Sequence, residues 1–158
     1  MSKTLDHLNN LVRHIDLVRE NTLLLGRKLI ENGEDDFGVS LVERGYRHDN
    51  SKFSGLEFDY LHNGPDTPAK ELALAIKEHQ SQNDHHPEFH SEGIAGMCRL
   101  QVAEMTCDWL ARSQEFGTSL RDWIDETAIT KYNINKRGKQ YKWIREFVDL
   151  LLQDSFKR

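Results

Sequence analysis

The chain reads as an all-α protein, a single helical bundle of six or seven helices. Three observations predict it. Apolar residues recur at three- and four-residue intervals over most of the length. Leu, Glu, Lys and Arg, which favour helix, are abundant. Only three prolines and ten glycines interrupt 158 residues, a length that suits one domain with a substantial core.

The first helix is expected over 4–30, with Leu8, Leu11, Ile15, Val18 and Leu25 on one stripe, Thr4 as N-cap and Asn32-Gly33 as its stop. His14 lies on that stripe. A second helix is expected over 37–51, with Leu41, Val42, Gly45 and Tyr46 facing inward and His48 and Asp49 towards its C-terminal end. Ser54 followed by Glu57 is a capping-box signature for a short helix over 55–61. Asn63-Gly64-Pro65 is a turn, and Thr67-Pro68 opens a helix whose apolar side carries Leu72, Ala75 and Ile76, then His79.

Residues 80–96 are polar and aperiodic, a loop with at most a short helix after Pro87. The segment 97–116 reads as a buried helix through Leu100, Val102, Met105, Cys107, Trp109 and Leu110, with Asp108 inside the apolar run. Ser119 with Asp122 forms a second capping box, opening a helix through Trp123 and Ile124. A last helix covers 139–154, with Tyr141, Ile144, Val148 and Leu151 inward. The core is therefore placed at about 8–112, followed by C-terminal helices over 119–156.

Composition excludes some functions. The net charge of −5 argues against broad duplex nucleic-acid binding. No run has the length or apolarity of a membrane span or signal peptide, since Leu23-Leu24-Leu25 is broken at once by Gly26, Arg27 and Lys28, so a cytoplasmic location is expected. Cys98 and Cys107, nine residues apart on one helix, lie about 13 Å apart along its axis, too far for a disulfide, and read as small core fillers. There is no Gly-rich phosphate loop, nucleophile elbow or paired CxxC site.

The chemistry concentrates around His48-Asp49-Asn50-Ser51-Lys52. Adjacent helical residues point about 100° apart, so His48 and Asp49 suit convergence on an ion between helices better than a hydrogen-bonded dyad. His14 precedes this doublet; His79, His85, His86 and Asp108 follow it. Burying two imidazoles and two carboxylates without partners costs several kcal/mol, which a bound cation offsets. The expected cofactor is one or two divalent transition-metal ions, with Fe, Mn, Zn, Co and Ni all compatible with imidazole and carboxylate. His7, His62 and His90 read as surface residues. Lys52, on the face of His48 if the helix persists, and Arg112, four residues after Asp108, suit phosphate as cations. Lys131, Lys136, Arg137, Lys139, Lys142 and Arg145 make a locally basic tail, a solvated turn or a cover over an anionic substrate.

The ordered set His14, His48-Asp49 and Asp108 resembles the H…HD…D signature of the HD-domain metal-dependent phosphohydrolases, over about residues 8–112. More narrowly, His48-Asp49-Asn50-Ser51-Lys52-Phe53, His79 with His85-His86-Pro87-Glu88, and Glu104-Met105-Thr106-Cys107-Asp108-Trp109 are similar to a small bacterial and phage family that supplies no substrate. The superfamily resemblance implies an HD-like helical fold with His14, His48, Asp49 and Asp108 as metal ligands. It further implies that His79 with His85 or His86 holds a second ion, Asp49 bridging; the six-residue step from His79 to His85 leaves open which of the pair binds. The implied function is a phosphohydrolase that uses a metal-activated water on a small phosphorylated substrate, a nucleotide among the candidates, with Asp49, Lys52 and Arg112 as catalytic residues. Two alternatives share this ligand set: an HD-type di-iron oxygenase, and a non-catalytic metal-stabilised nucleotide-binding module.

Overall fold

A computed structural model describes residues 3–61 and 67–153, with the side chains of residues 3 and 4 left aside. The side chain of Thr4, the turn Asn63-Gly64-Pro65, His62 and the end of the last expected helix at Asp154 lie outside the described residues. Seven helices and no strand occur among the described residues, so the protein is all-α. They are α1 (Lys3–Glu31), α2 (Asp35–Arg47), α3 (Gly55–Tyr60), α4 (Ala69–Gln82), α5 (Arg99–Phe116), α6 and α7 (Lys139–Leu152). Helix α6 runs Leu120–Trp123, passes through a π-helical turn at Ile124–Ala128, and ends as Ile129–Lys131. No described helix is long and apolar enough to cross a membrane.

Helix α1 stops where its sequence says it should. Gly33 adopts φ +87°, and Gly33 N and Glu34 N donate to Ile30 O and Leu29 O, both at 2.9 Å, closing the last turn. The chain then returns as α2 against α1 at very short range. A Cβ added at Gly38 would meet Gly26 O at 2.5 Å, and one added at Gly45 would overlap the Thr22 hydroxyl. Glycine at these positions lets two backbones approach until His14 on α1 and His48 after α2 can converge. Gly45→Ala should therefore push the helices apart and cost about 1–3 kcal/mol through overpacking. A thermal melt of that variant identical to wild type would show that Gly45 does not set the spacing.

Helix α5 is the central element, packed against α1, α2 and α7, with Val102 through Ala111 all buried. That enclosure explains why apolar residues surround it instead of forming one stripe. Asp108 and Glu104 are carried into the core by this helix.

Several local expectations are corrected. Helix α2 ends at Arg47, not at residue 51: Asp49 has φ +54° and Asn50–Phe53 is a 3-10 turn. Tyr46 and Ile76, expected inward, are 61% and 40% exposed. Pro68 is the N-cap of α4 instead of its first residue. The loop over 80–96 is shorter than expected, because α4 continues to Gln82 and 3-10 turns form at Pro87–Phe89 and Gly93–Gly96. Cys98 is exposed just outside α5, whereas Cys107 is buried. The Ser119 cap stands, its hydroxyl accepting from Asp122 N at 3.3 Å. The Ser54 side chain makes no cap bond.

Candidate metal centre

Four helices and two turns bring the predicted ligands to one place. His14 comes from the buried face of α1, His48 from the end of α2, and Asp49 from the sharp turn after it. His79 lies in the last turn of α4, His85 and His86 in the loop beyond, and Asp108 in the middle of α5. All are buried except His86, which is partly so.

Asp49 sits at the centre, on a left-handed turn of the backbone, and its two oxygens face different groups. Non-glycine residues seldom adopt that conformation, though Asp tolerates it better than most. Oδ2 lies 3.3 Å from His48 Nε2 and 3.9 Å from His14 Nε2. His14 Nε2 is in turn 3.1 Å from Asp108 Oδ1. On the other side, Asp49 Oδ1 lies 3.4 Å from His85 Nε2 and 3.6 Å from His79 Nε2, and His86 Nε2 is 2.8 Å from His79 Nε2. Each set (His14, His48 and Asp108; Asp49, His79, His85 and His86) has its donor atoms within 4.8 Å of one another.

The inner atoms of this cluster are unsatisfied. His14 Nε2, His48 Nε2, His85 Nε2, Asp49 Oδ1 and Asp108 Oδ1 are buried and make no aligned hydrogen bond. Buried polar atoms are ordinarily paired, so five orphans facing one another fit a cation held between them. Imidazole and carboxylate are the donors expected of a divalent transition metal. The residues present fit such a group.

The outer faces are paired by three glutamates. His48 Nδ1 is 3.0 Å from Glu104 Oε1, His79 Nδ1 is 2.8 Å from Glu57 Oε2, and His14 Nδ1 is 3.3 Å from Glu115 Oε2. His85 Nδ1 also approaches Glu104 Oε1, at 3.4 Å. A carboxylate can only accept, so each Nδ1 carries a proton, and a neutral ring then keeps its Nε2 lone pair for the centre. Glu57 is the residue whose spacing from Ser54 suggests a capping box. Its carboxylate instead takes the Ser51 hydroxyl at 2.9 Å and His79, while Ser54 N donates to Ser51 O at 3.2 Å, so the reciprocal half of the box does not form. Glu104 also receives Arg44 Nε, and Arg44 reaches on to Asp84, which accepts from Gln101 at 2.8 Å. Arg44 thereby ties α2 and α5 to the loop that carries His85. Sequence spacing singled out neither Glu57 nor Glu115 for this role, because each partner is remote along the chain.

Electrostatics divides the histidines. Burial alone would lower His48, but the carboxylates of Asp49, Glu104 and Asp108 outweigh it and raise the imidazole to about 10. Burial lowers His79 to about 3 and His85 to about 4, so both are neutral and ready to donate a lone pair at neutral pH. Asp49 and Asp108 are held well below the usual carboxylate range: burial opposes ionisation, and the surrounding histidines overcome it, with Lys52 assisting at Asp49.

Lys52 is 5% exposed with its Nζ 2.5 Å from Asp49 Oδ2. It reaches the centre across the 3-10 turn, not along a continued α-helix. Arg112 is half exposed and pairs with Glu115 at 3.0 Å, away from Glu104, which faces the core. His7, expected at the surface, is buried edge-on to the Phe58 ring. His90 is half-buried, its Nε2 2.9 Å from Asp84 O. Of the basic tail, Lys131 lines a cavity beside the centre, whereas Arg145 pairs with Asp125 at 3.5 Å.

A family match covers the whole of this arrangement, from α1 to α7. The chain belongs to DUF5662, a family of unknown function, over residues 3–150. No curated protein and no solved structure matches it.

Proposed function

We propose that this DUF5662 chain is a metal-dependent phosphohydrolase of the HD type, acting on a nucleotide or other small phosphate ester. The observation that carries the reading is the division of Asp49, with Oδ2 turned to His14 and His48 and Oδ1 turned to His79 and His85. A carboxylate so placed suits two neighbouring ions, with His86 completing the second set. Such ions supply Lewis acidity towards a phosphoryl oxygen and acidify a water to near neutrality.

The chain's own residues do the rest. Glu57, Glu104 and Glu115 fix the ring orientation of the histidines, and Arg44 holds Glu104 and Asp84 in register. Lys52 places a buried positive charge against Asp49, while Arg112 offers a guanidinium to phosphate at the rim of the centre. The cavities that reach His48 and Asp49 on one side and His86 and Asp108 on the other favour an open centre over a closed structural one.

The test is phosphate release from a panel of esters by the metal-loaded protein, beside Arg112→Ala. That variant should keep its metal and lose about tenfold in phosphate release, the worth of one charged hydrogen bond. A metal-loaded protein that hydrolyses no ester but consumes oxygen with iron bound would favour the di-iron oxygenase, for which imidazole and carboxylate donors are equally suitable.

A further inference from the structure

A cavity of about 330 Å³ opens beside the centre, with His86 and Asp108 at its inner end. Its walls come from the end of α5 and from α6 and the turn after it, segments that supply none of the other predicted metal ligands. Trp109 and Tyr132 stand nearly parallel, at 13° with centroids 5.7 Å apart, and Trp123 meets Trp109 edge-on at 4.9 Å. Two cations stand at the same cavity: Arg112, and Lys131, whose Nζ lies 4.9 Å from the Tyr132 ring centre.

This combination is selective. The volume is at the small end of ligand pockets, enough for one ring and its attached group. Rigid aromatic walls favour a flat ring, which can stack or meet an edge, over a puckered saturated one. The two cations favour an anion in the cavity, in a protein whose net charge is −5.

The geometry points to a leaving-group pocket: the cavity takes a phosphate ester whose alcohol carries a flat aromatic ring, the phosphate directed at Asp108 and His86. This inference rests on the phosphohydrolase reading for its reaction, and on the cavity alone for its ring preference. A nucleobase and a simple aryl group share the chemistry.

Two matched ester pairs distinguish them in the metal-loaded protein. Benzyl phosphate and cyclohexylmethyl phosphate share a carbon skeleton and differ chiefly in the flatness of the ring; adenosine 5′-monophosphate carries a base where ribose 5-phosphate carries a hydroxyl. A preference of about three- to tenfold in kcat/KM for the aromatic member is expected in at least one pair, matching the usual worth of an aromatic contact. The pair that shows it identifies the source. Tyr132→Leu should erase the preference, and Tyr132→Phe, which keeps the ring, should retain it. Equal rates within both pairs, or a preference that survives Tyr132→Leu and Trp123→Leu, would overturn the assignment.

Binding gives a readout independent of turnover. Benzylphosphonate should quench tryptophan fluorescence at lower concentration than cyclohexylmethylphosphonate. Selective binding without hydrolysis of any ester would uphold the pocket and sink the phosphohydrolase reading. Hydrolysis with neither selective binding nor selective turnover would do the reverse, and failure of both readouts would overturn both.

Discussion

Asp49→Asn is expected to empty both halves of the metal centre at once. Asparagine tolerates the left-handed backbone at this position and keeps the side-chain shape, so the change removes little besides the charge. That charge is what both ligand sets share, since one oxygen faces His48 and His14 and the other faces His79 and His85. His14→Ala and His79→Ala, by contrast, should each lower the metal content on one side only. Elemental analysis of the three variants beside wild type checks this. Wild-type metal content in Asp49→Asn would remove Asp49 from the ligand set. The same substitution leaves Lys52 buried without its carboxylate, and breaking a buried pair of this kind costs about 3–5 kcal/mol. The melting temperature of the metal-free variant should therefore fall below that of the metal-free wild type.

Chelation of the wild-type protein should lower its melting temperature by an amount that depends on pH. A ligand that binds only the folded state adds about 2.7 kcal/mol at a hundredfold excess over its dissociation constant. The predicted ligands come from four helices and the turns between them, which come apart on unfolding. In the metal-free state the histidines act in opposite directions. His48, raised to about 10, contributes stability that is complete below pH 6.5 and is lost as pH rises towards 10. His85 and His79, lowered to about 4 and 3, cause stability to be lost as pH falls from 6.5 through those values. The metal-free protein should thus be most stable near pH 6.5, as far as these groups decide it. Metal must displace the His48 proton, so its stabilising effect should grow from pH 6.5 upwards. Melting profiles with metal and with chelator should diverge over that range. Parallel profiles would count against His48 as a ligand.

The helices were largely legible in the sequence, because helical periodicity is a local property of neighbouring residues. Leu11, Ile15, Val18 and Leu25 announce α1, and all are buried. Local signals failed where a residue was claimed by a distant partner. Ser54 and Glu57 carry the spacing of a capping box, yet Glu57 is drawn to His79, 22 residues away. The sequence suggests a second helix that continues to residue 51, but the chain leaves it after Arg47 and turns Asp49 left-handed.

The sequence by itself determined the all-α class, the approximate helices and the identity of the histidines and aspartates that gather in the core. The tertiary structure alone decided how they face one another. It placed Glu104 on His48 across 56 residues and Glu115 on His14 across 101, separations at which no pattern in the chain marks a pair. It also set Asp49 between two ligand groups and folded α6 back so that Trp123 and Tyr132 meet Trp109. The physical reason is the same in each case. Side-chain types and their period follow from the chain, whereas the direction of a carboxylate or the closing of a cavity depends on how separate helices pack.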